Sequence, residues 1–188
     1  YIYAPKQDPH LRKAWRESWD QTYVNKLREL KNHFQSFGIR FGVGFSPFGL
    51  GLDITSQDEI ALREKLGLLQ DIGIDMLGLF FDDMPTNENL AKNQMRVLAI
   101  IQDQFKHEVI FCPSYYSFDP ILEKVFGKMP PGYLNIIGKE TPQSVSIAWT
   151  GPKVISPIIE HTHLEEVIQI LKRKPFIWEN LFANDGPR

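Results

Sequence analysis

The sequence predicts an α/β fold of parallel strands, a (β/α)8 TIM barrel of which the chain covers about six strands, and three observations carry that expectation. Short β-prone apolar runs alternate with amphipathic helical stretches along the chain, which means parallel strands covered by helices. Residues able to do chemistry stand at or just past the C-terminal end of one strand after another: Lys6, Ser46, Asp82-Asp83, Tyr115-Tyr116, Trp149, and Trp178 with Asn180. An open doubly wound sheet concentrates its site at one switch point, whereas a barrel draws functional residues from nearly all its strands. Finally, no Gly-x-Gly-x-x-Gly follows a strand; Gly42-Val43-Gly44 lies inside one.

The elements follow in order. Tyr1–Ala4 is the first strand. The helix predicted over Thr22–Phe37 places Leu27, Leu30, Phe34 and Phe37 at three- and four-residue spacing, one stripe for a sheet to cover. Gly38 stands where a left-handed C-cap is needed. Arg40–Phe45 is the second strand and Gln57–Ile72 the second helix, closed by Gly73 in the same way. Met76–Phe81 is the third strand and Glu88–Phe105 the third helix. Val109–Cys112 leads to a shorter helix opened by Asp119-Pro120 and running through Phe126. Val145–Trp149, a helix over Leu164–Arg173, and Phe176–Trp178 complete the pattern. A full barrel usually takes about 250 residues and eight strands, so residues 1–188 are expected to form one barrel domain truncated at both ends.

Composition narrows the function. At 43% hydrophobic the chain supports one well-cored domain. A net charge of −2 with no basic cluster argues against a nucleic-acid partner. The single cysteine, Cys112, cannot build a disulfide framework or a thiolate zinc site, and no apolar run approaches the ~20 residues of a membrane span.

Asp82-Asp83, directly after the buried run Met76–Phe81, is the most informative pair. Burying one charge costs several kcal/mol unless it is paired, and two adjacent like charges cost more. Neighbouring carboxyls push their pKa values apart, so one stays protonated while the other is ionised. That division of labour suits glycoside or ester hydrolysis; the plain alternative is an Asp-Asp helix cap or turn. Both carboxyls reach a barrel mouth only if the strand has already turned by Asp82, because strand neighbours point to opposite faces.

Five motifs in order, Tyr3-Ala4-Pro5-Lys6 with Trp15-Arg16-Glu17, Phe81-Asp82-Asp83, Phe111-Cys112-Pro113, Trp149-Thr150-Gly151-Pro152, and Trp178-Glu179-Asn180 with Asn184-Asp185, resemble glycoside hydrolase family 84, the O-GlcNAcases and related β-N-acetylglucosaminidases. The likeness runs over essentially the whole chain. It implies a catalytic domain that removes terminal N-acetylglucosamine with retention, the sugar's own 2-acetamido oxygen attacking C1 to give an oxazoline. By the same resemblance Asp82 accepts the acetamido N–H bond and Asp83 is the general acid and then base. Lys6 binds a sugar hydroxyl, and Tyr116, or Tyr115 if the register slips by one, contacts the acetamido oxygen. Trp178 walls the acetyl pocket, Trp149 and Val154 shape the leaving-group side or serve as scaffold, Asn180 bonds to the catalytic region, and Asp185 holds sugar hydroxyls. No cofactor or metal is implied. The partner is an N-acetylglucosamine-bearing glycoprotein or glycan. The compartment stays open between cytoplasmic and secreted, and a homo-oligomer is compatible with exposed barrel edges.

Departures from the family pattern are Gln7 where an acid is common, Glu179 where aspartate is usual, and the segment Phe48-Gly49-Leu50-Gly51, expected to alter the rim. His161-x-His163 is read as a solvated loop before a helix, and Cys112 as a packed residue. Two rival functions remain: a barrel using Asp82 and Asp83 as cation ligands, which needs another acid nearby, and a sugar-binding barrel that is catalytically weak or inert.

Overall fold

The computed structural model describes residues 1–82 and 84–181. Strands β1 (Ile2–Tyr3), β2 (Gly42–Phe45), β3 (Met76–Phe80), β4 (Glu108–Cys112), β5 (Val145–Trp149) and β6 (Phe176–Ile177) are joined by helices α1 (Gln21–Ser36), α2 (Ser56–Ile72), α3 (Leu90–Gln104), α4 (Pro120–Phe126), α5 (Tyr133–Glu140) and α6 (His161–Leu171). Every strand pairs in parallel with the next, and the sheet order β1-β2-β3-β4-β5-β6 follows the chain without reversal. A doubly wound sheet reverses its order at a switch point; this one curls instead, so that residues of β1 and β6, the two end strands, line the same cavity. The fold is a half-barrel of the predicted (β/α)8 type.

Local chemistry explains the boundaries. Asp20 caps α1 by accepting from the Tyr23 N–H at 2.8 Å, and Thr55 with Asp58 forms a reciprocal capping box at the start of α2. Gly73, at φ 84°, ends α2 by donating to the Leu69 and Gln70 carbonyls, the left-handed turn expected of it. The core lies between the sheet's outer face (Val43, Phe45, Leu77, Leu79, Phe111, Ile147) and the inner stripes of the helices, with Leu62, Leu66, Leu69, Leu98 and Ile101 fully covered.

Two expectations need correction. Helix α5 is absent from the sequence reading. It follows Pro130-Pro131-Gly132 and contains Gly138, which reads as a breaker; yet a Cβ there would lie 2.6 Å from the Ile170 carbonyl oxygen, so the glycine is what lets α6 pass. Arg173 then donates to the Gly138 and Thr141 carbonyls at the exposed end of α5 and to the Val145 carbonyl of β5. Helix α6 begins at His161, so the His-x-His pair sits in its first turn and not in a loop. The His163 imidazole accepts from the Glu160 N–H at 3.1 Å as half of a capping box, and His161 pairs with Glu165 at 3.2 Å.

One carboxylate ties α1 and the residue before β2 to the start of β3. The Asp75 carboxylate, one residue before β3, accepts from the Phe41 N–H at 2.7 Å and from the Gln35 amide at 3.1 Å. Burial pushes its pKa up, but those two bonds and the Lys31 and Arg40 charges outweigh burial and hold it below the usual value. A carboxyl depressed in the folded state contributes stability above its unfolded pKa of about 3.9, and that contribution is lost as pH falls through the folded value. Asp75→Asn is therefore expected to cost about 1 to 2 kcal/mol at pH 7 and to flatten the acid limb of the stability curve below about pH 4. Urea titrations across pH check this; an acid limb unchanged in the variant would assign the effect to other carboxylates.

Candidate active site

A cavity of about 350 Å³ opens at the C-terminal ends of β1, β2, β3 and β6. It is lined by the charged and polar residues Lys6, Arg12, Ser46, Asp82 and Glu179 and by the apolar residues Ile2, Ala4, Gly44, Phe80, Phe176 and Trp178. Charged donors and acceptors beside apolar side chains suit a small neutral ligand with one hydrophobic end.

Lys6 sits at the tip of a turn after β1 that is anchored from behind. The Asp8 N–H donates to the Pro5 carbonyl at 3.1 Å, closing the turn. The buried Asp8 carboxylate accepts from the Trp19 indole N–H at 3.0 Å, the Tyr23 hydroxyl at 3.0 Å and the His10 N–H at 2.9 Å. Arg12 follows the short 3-10 turn Pro9–Leu11 and reaches the same cavity. Next to it, the Leu11 carbonyl accepts from the Ser46 N–H at 2.8 Å, fixing this segment to the end of β2. Gln7 faces a second hollow shared with Tyr3, Asp8, Trp19 and Tyr23, away from the Lys6 cavity.

Asp82 meets the geometric condition set by its position. Pairing of β3 ends with the Phe81 N–H donating to the Cys112 carbonyl at 2.9 Å, and Asp82 lies in the turn beyond, half-buried in the cavity wall. A buried polar network fixes that exit. Ser114 Oγ donates to the Phe81 carbonyl at 2.8 Å, Gln94 Nε2 donates to Ser114 Oγ at 2.8 Å, and the Tyr133 hydroxyl donates to Gln94 Oε1 while accepting from the Ser114 N–H at 2.9 Å. Burial raises the Tyr133 pKa, so this hydroxyl stays a neutral donor.

Trp178 lines the cavity. Asn180 and Val154 are bonded to each other, the Asn180 amide donating to the Val154 carbonyl at 3.1 Å, while the Val154 N–H donates to Asp119 at 3.2 Å. Tyr116 is buried, its carbonyl accepting from the Thr150 N–H at 3.0 Å. The alternative Tyr115 has its hydroxyl donated to the Gly127 carbonyl at 2.6 Å and its ring against Tyr133, so it is held by the α4–α5 side. Trp149 is fully buried beside Phe118, with ring centroids 4.7 Å apart. Trp149 is two residues past Ile147, which stands level with Phe111 on the helix-covered face, so strand alternation turns Trp149 to that same side. Asp83 and Asp185 lie outside the described residues. Cys112 is buried, as expected of a packed residue. The Phe48–Gly51 segment is more than rim: Leu50 is buried in the core and the Phe48 carbonyl accepts from Trp15 Nε1 at 3.2 Å.

Arg12 and Phe80 escaped the sequence reading. Arg12 stands several residues past its strand, and Phe80 reads as one more core residue in an apolar run. Among the described residues no group of three His, Cys, Asp or Glu side chains stands close enough to hold a metal ion, and no helix is long and apolar enough to cross a membrane.

A parallel barrel whose C-terminal mouth carries carboxylate, cation and tryptophan has the layout of a barrel enzyme. Comparison with known proteins identifies the family. Residues 1–188 match the sequence model of the beta-N-acetylglucosaminidase family over their whole length. The protein O-GlcNAcases of Rattus norvegicus and Mus musculus are each 32% identical over 197 residues, covering 98% of this chain and 21% of the relative. A mutant of the O-GlcNAc hydrolase of Thermobaculum terrenum superposes with a TM-score of 0.83 at 33% identity, covering 99% of this chain and 42% of that one. The chain belongs to the β-N-acetylglucosaminidase family, and it spans about a fifth of the length of these curated relatives.

Proposed function

We propose that the protein carrying this chain is a retaining exo-β-N-acetylglucosaminidase that works through the substrate's own acetamido group, with residues 1–188 as part of its catalytic barrel. The observation that carries this reading is the placement of Asp82 beside Lys6 and Trp178 in one cavity at the barrel mouth of a member of this family. Asp82 accepts a hydrogen bond from the acetamido N–H and orients the carbonyl oxygen, which attacks C1. The C1–oxygen bond to the aglycone breaks, and Asp83 gives its proton to the departing oxygen. Asp83 then takes a proton from water, whose oxygen attacks C1 from the vacated face and reopens the oxazoline. Two displacements at C1 retain the configuration.

Lys6 donates to a sugar hydroxyl, the Trp178 ring packs on the acetyl group, and Asp185 accepts from hydroxyls at the far end of the sugar. Tyr116 contacts the acetamido oxygen, and the bonded pair Asn180–Val154 borders the site. Trp149 serves as scaffold behind it. The proposed substrate is N-acetylglucosamine O-linked to protein, the modification named in the relatives' descriptions.

The test uses aryl glucosaminides whose acetyl group carries zero to three fluorines. Each fluorine weakens the internal nucleophile, so the rate falls stepwise along the series. A rate indifferent to fluorine would assign the attack to a protein carboxylate, and binding of the sugar without turnover would make the barrel a lectin.

A further inference from the structure

The polar network behind the end of β3 takes the place of a rung in the sheet. The register pairs Phe80 with Cys112, so Phe81 falls level with Pro113. A regular parallel ladder would continue with the Phe81 N–H on the Cys112 carbonyl and the Ser114 N–H on the Phe81 carbonyl. The first of these bonds is made, at 2.9 Å. For the second, the Ser114 N–H turns to the Tyr133 hydroxyl at 2.9 Å, and Ser114 Oγ donates to the Phe81 carbonyl in its stead at 2.8 Å. The bonds can run in one direction only. A carbonyl only accepts, so Ser114 Oγ gives its proton to Phe81 and accepts from the Gln94 amide. That leaves Gln94 Oε1 for the Tyr133 hydroxyl, which donates to it. All three side chains are at most 1% exposed, so a lost partner would leave a buried polar group unpaired. Gln94 lies in α3 and Tyr133 opens α5, so two helices behind the sheet reach the carbonyl that joins β3 to Asp82.

We infer that Tyr133 is a positioning residue for the reaction: through Ser114 it sets the peptide plane from which the Asp82 carboxylate is aimed at the substrate's acetamido group. The inference rests on the proposed hydrolysis, in which Asp82 takes the acetamido N–H. The Phe81 carbonyl and the Asp82 N–H share one rigid plane, so the hydroxyl that holds this carbonyl fixes the direction in which the chain leaves the sheet. Tyr133 takes the Ser114 N–H off the ladder, and β3 turns where that rung is replaced. Without the Tyr133 hydroxyl, the Ser114 N–H would return to the Phe81 carbonyl, its acceptor in a regular ladder, and rotate the plane before Asp82.

The experiment measures kcat and KM on a dinitrophenyl N-acetylglucosaminide, whose leaving group needs no acid, in the whole protein that contains residues 1–188. Tyr133→Phe and Ser114→Ala each remove one hydroxyl. Each should lower kcat about ten- to a hundredfold, the scale of a small misplacement of a reacting group, with KM nearly unchanged. Asp75→Asn, at the opposite end of β3, also loses stability and should keep full kcat. The deciding measurement repeats both hydroxyl deletions in an Asp82→Asn background. There each should cost less than about threefold, because the group it aims is already gone. General damage to the fold would instead multiply in full onto the Asp82→Asn loss. Such a multiplied loss, or a kcat within about twofold of the unaltered protein in both hydroxyl variants, would overturn the inference and leave the proposed function standing. No turnover by the unaltered protein would overturn both.

Discussion

Asp82→Asn is expected to lower kcat for N-acetylglucosaminides by about a hundred- to a thousandfold, the range seen when one preorganised group facing developing charge is removed, with KM little changed. The reason lies in when the interaction matters. In the ground state an aspartate and an asparagine both offer an oxygen to the acetamido N–H. As the carbonyl oxygen attacks C1, the acetamido nitrogen takes on positive charge, and only the carboxylate gains strength with it. The loss should therefore be the same for good and poor leaving groups, since it falls on ring closure. The residue just before Asp82 is fixed on both sides, the Phe81 N–H donating to the Cys112 carbonyl and the Phe81 carbonyl accepting from Ser114 Oγ. Steady-state kinetics with aryl glycosides of graded leaving-group pKa read the result. A raised KM with kcat intact would make Asp82 a binding group only.

The strands and most helices were legible because periodicity and caps agree along this chain. Helix α1 and helix α2 announced themselves by their stripes and by Gly38 and Gly73. Helix α5 did not, because Gly138 signals a break locally and its value lies in the approach of α6, a tertiary fact. That Lys6, Asp82 and Trp178 line one cavity was legible from their places just past strands, a position that a barrel turns into a mouth. Trp149 followed the same rule and faces the helices, since its parity along β5 is that of Ile147. The Ser114–Gln94–Tyr133 network joins the end of β4 to α3 and α5. No local pattern marks it: a glutamine within an amphipathic helix reads as surface until the fold buries it completely.

Asp83→Asn should separate substrates by their leaving groups. The general acid matters in proportion to how badly the departing oxygen needs a proton. For a serine or threonine glycoside the alkoxide is a very poor leaving group, so loss of the acid should cost about a hundred- to ten-thousandfold. A dinitrophenolate departs without help, so the first step on that substrate should barely slow. The second step still needs a base to take a proton from water, and Asn cannot supply it, so the oxazoline should accumulate on activated substrates. A burst of phenolate equal to the enzyme present, followed by a slow steady rate, is the expected signature. Added azide, a nucleophile that needs no base, should raise that steady rate and release the β-glycosyl azide. Asp82→Asn should show neither the burst nor the rescue, because it blocks the first step on every substrate. The two variants thus distinguish the adjacent carboxyls by kinetics alone. Equal losses in Asp83→Asn across leaving groups of widely different pKa, with no response to azide, would remove Asp83 from the acid–base role.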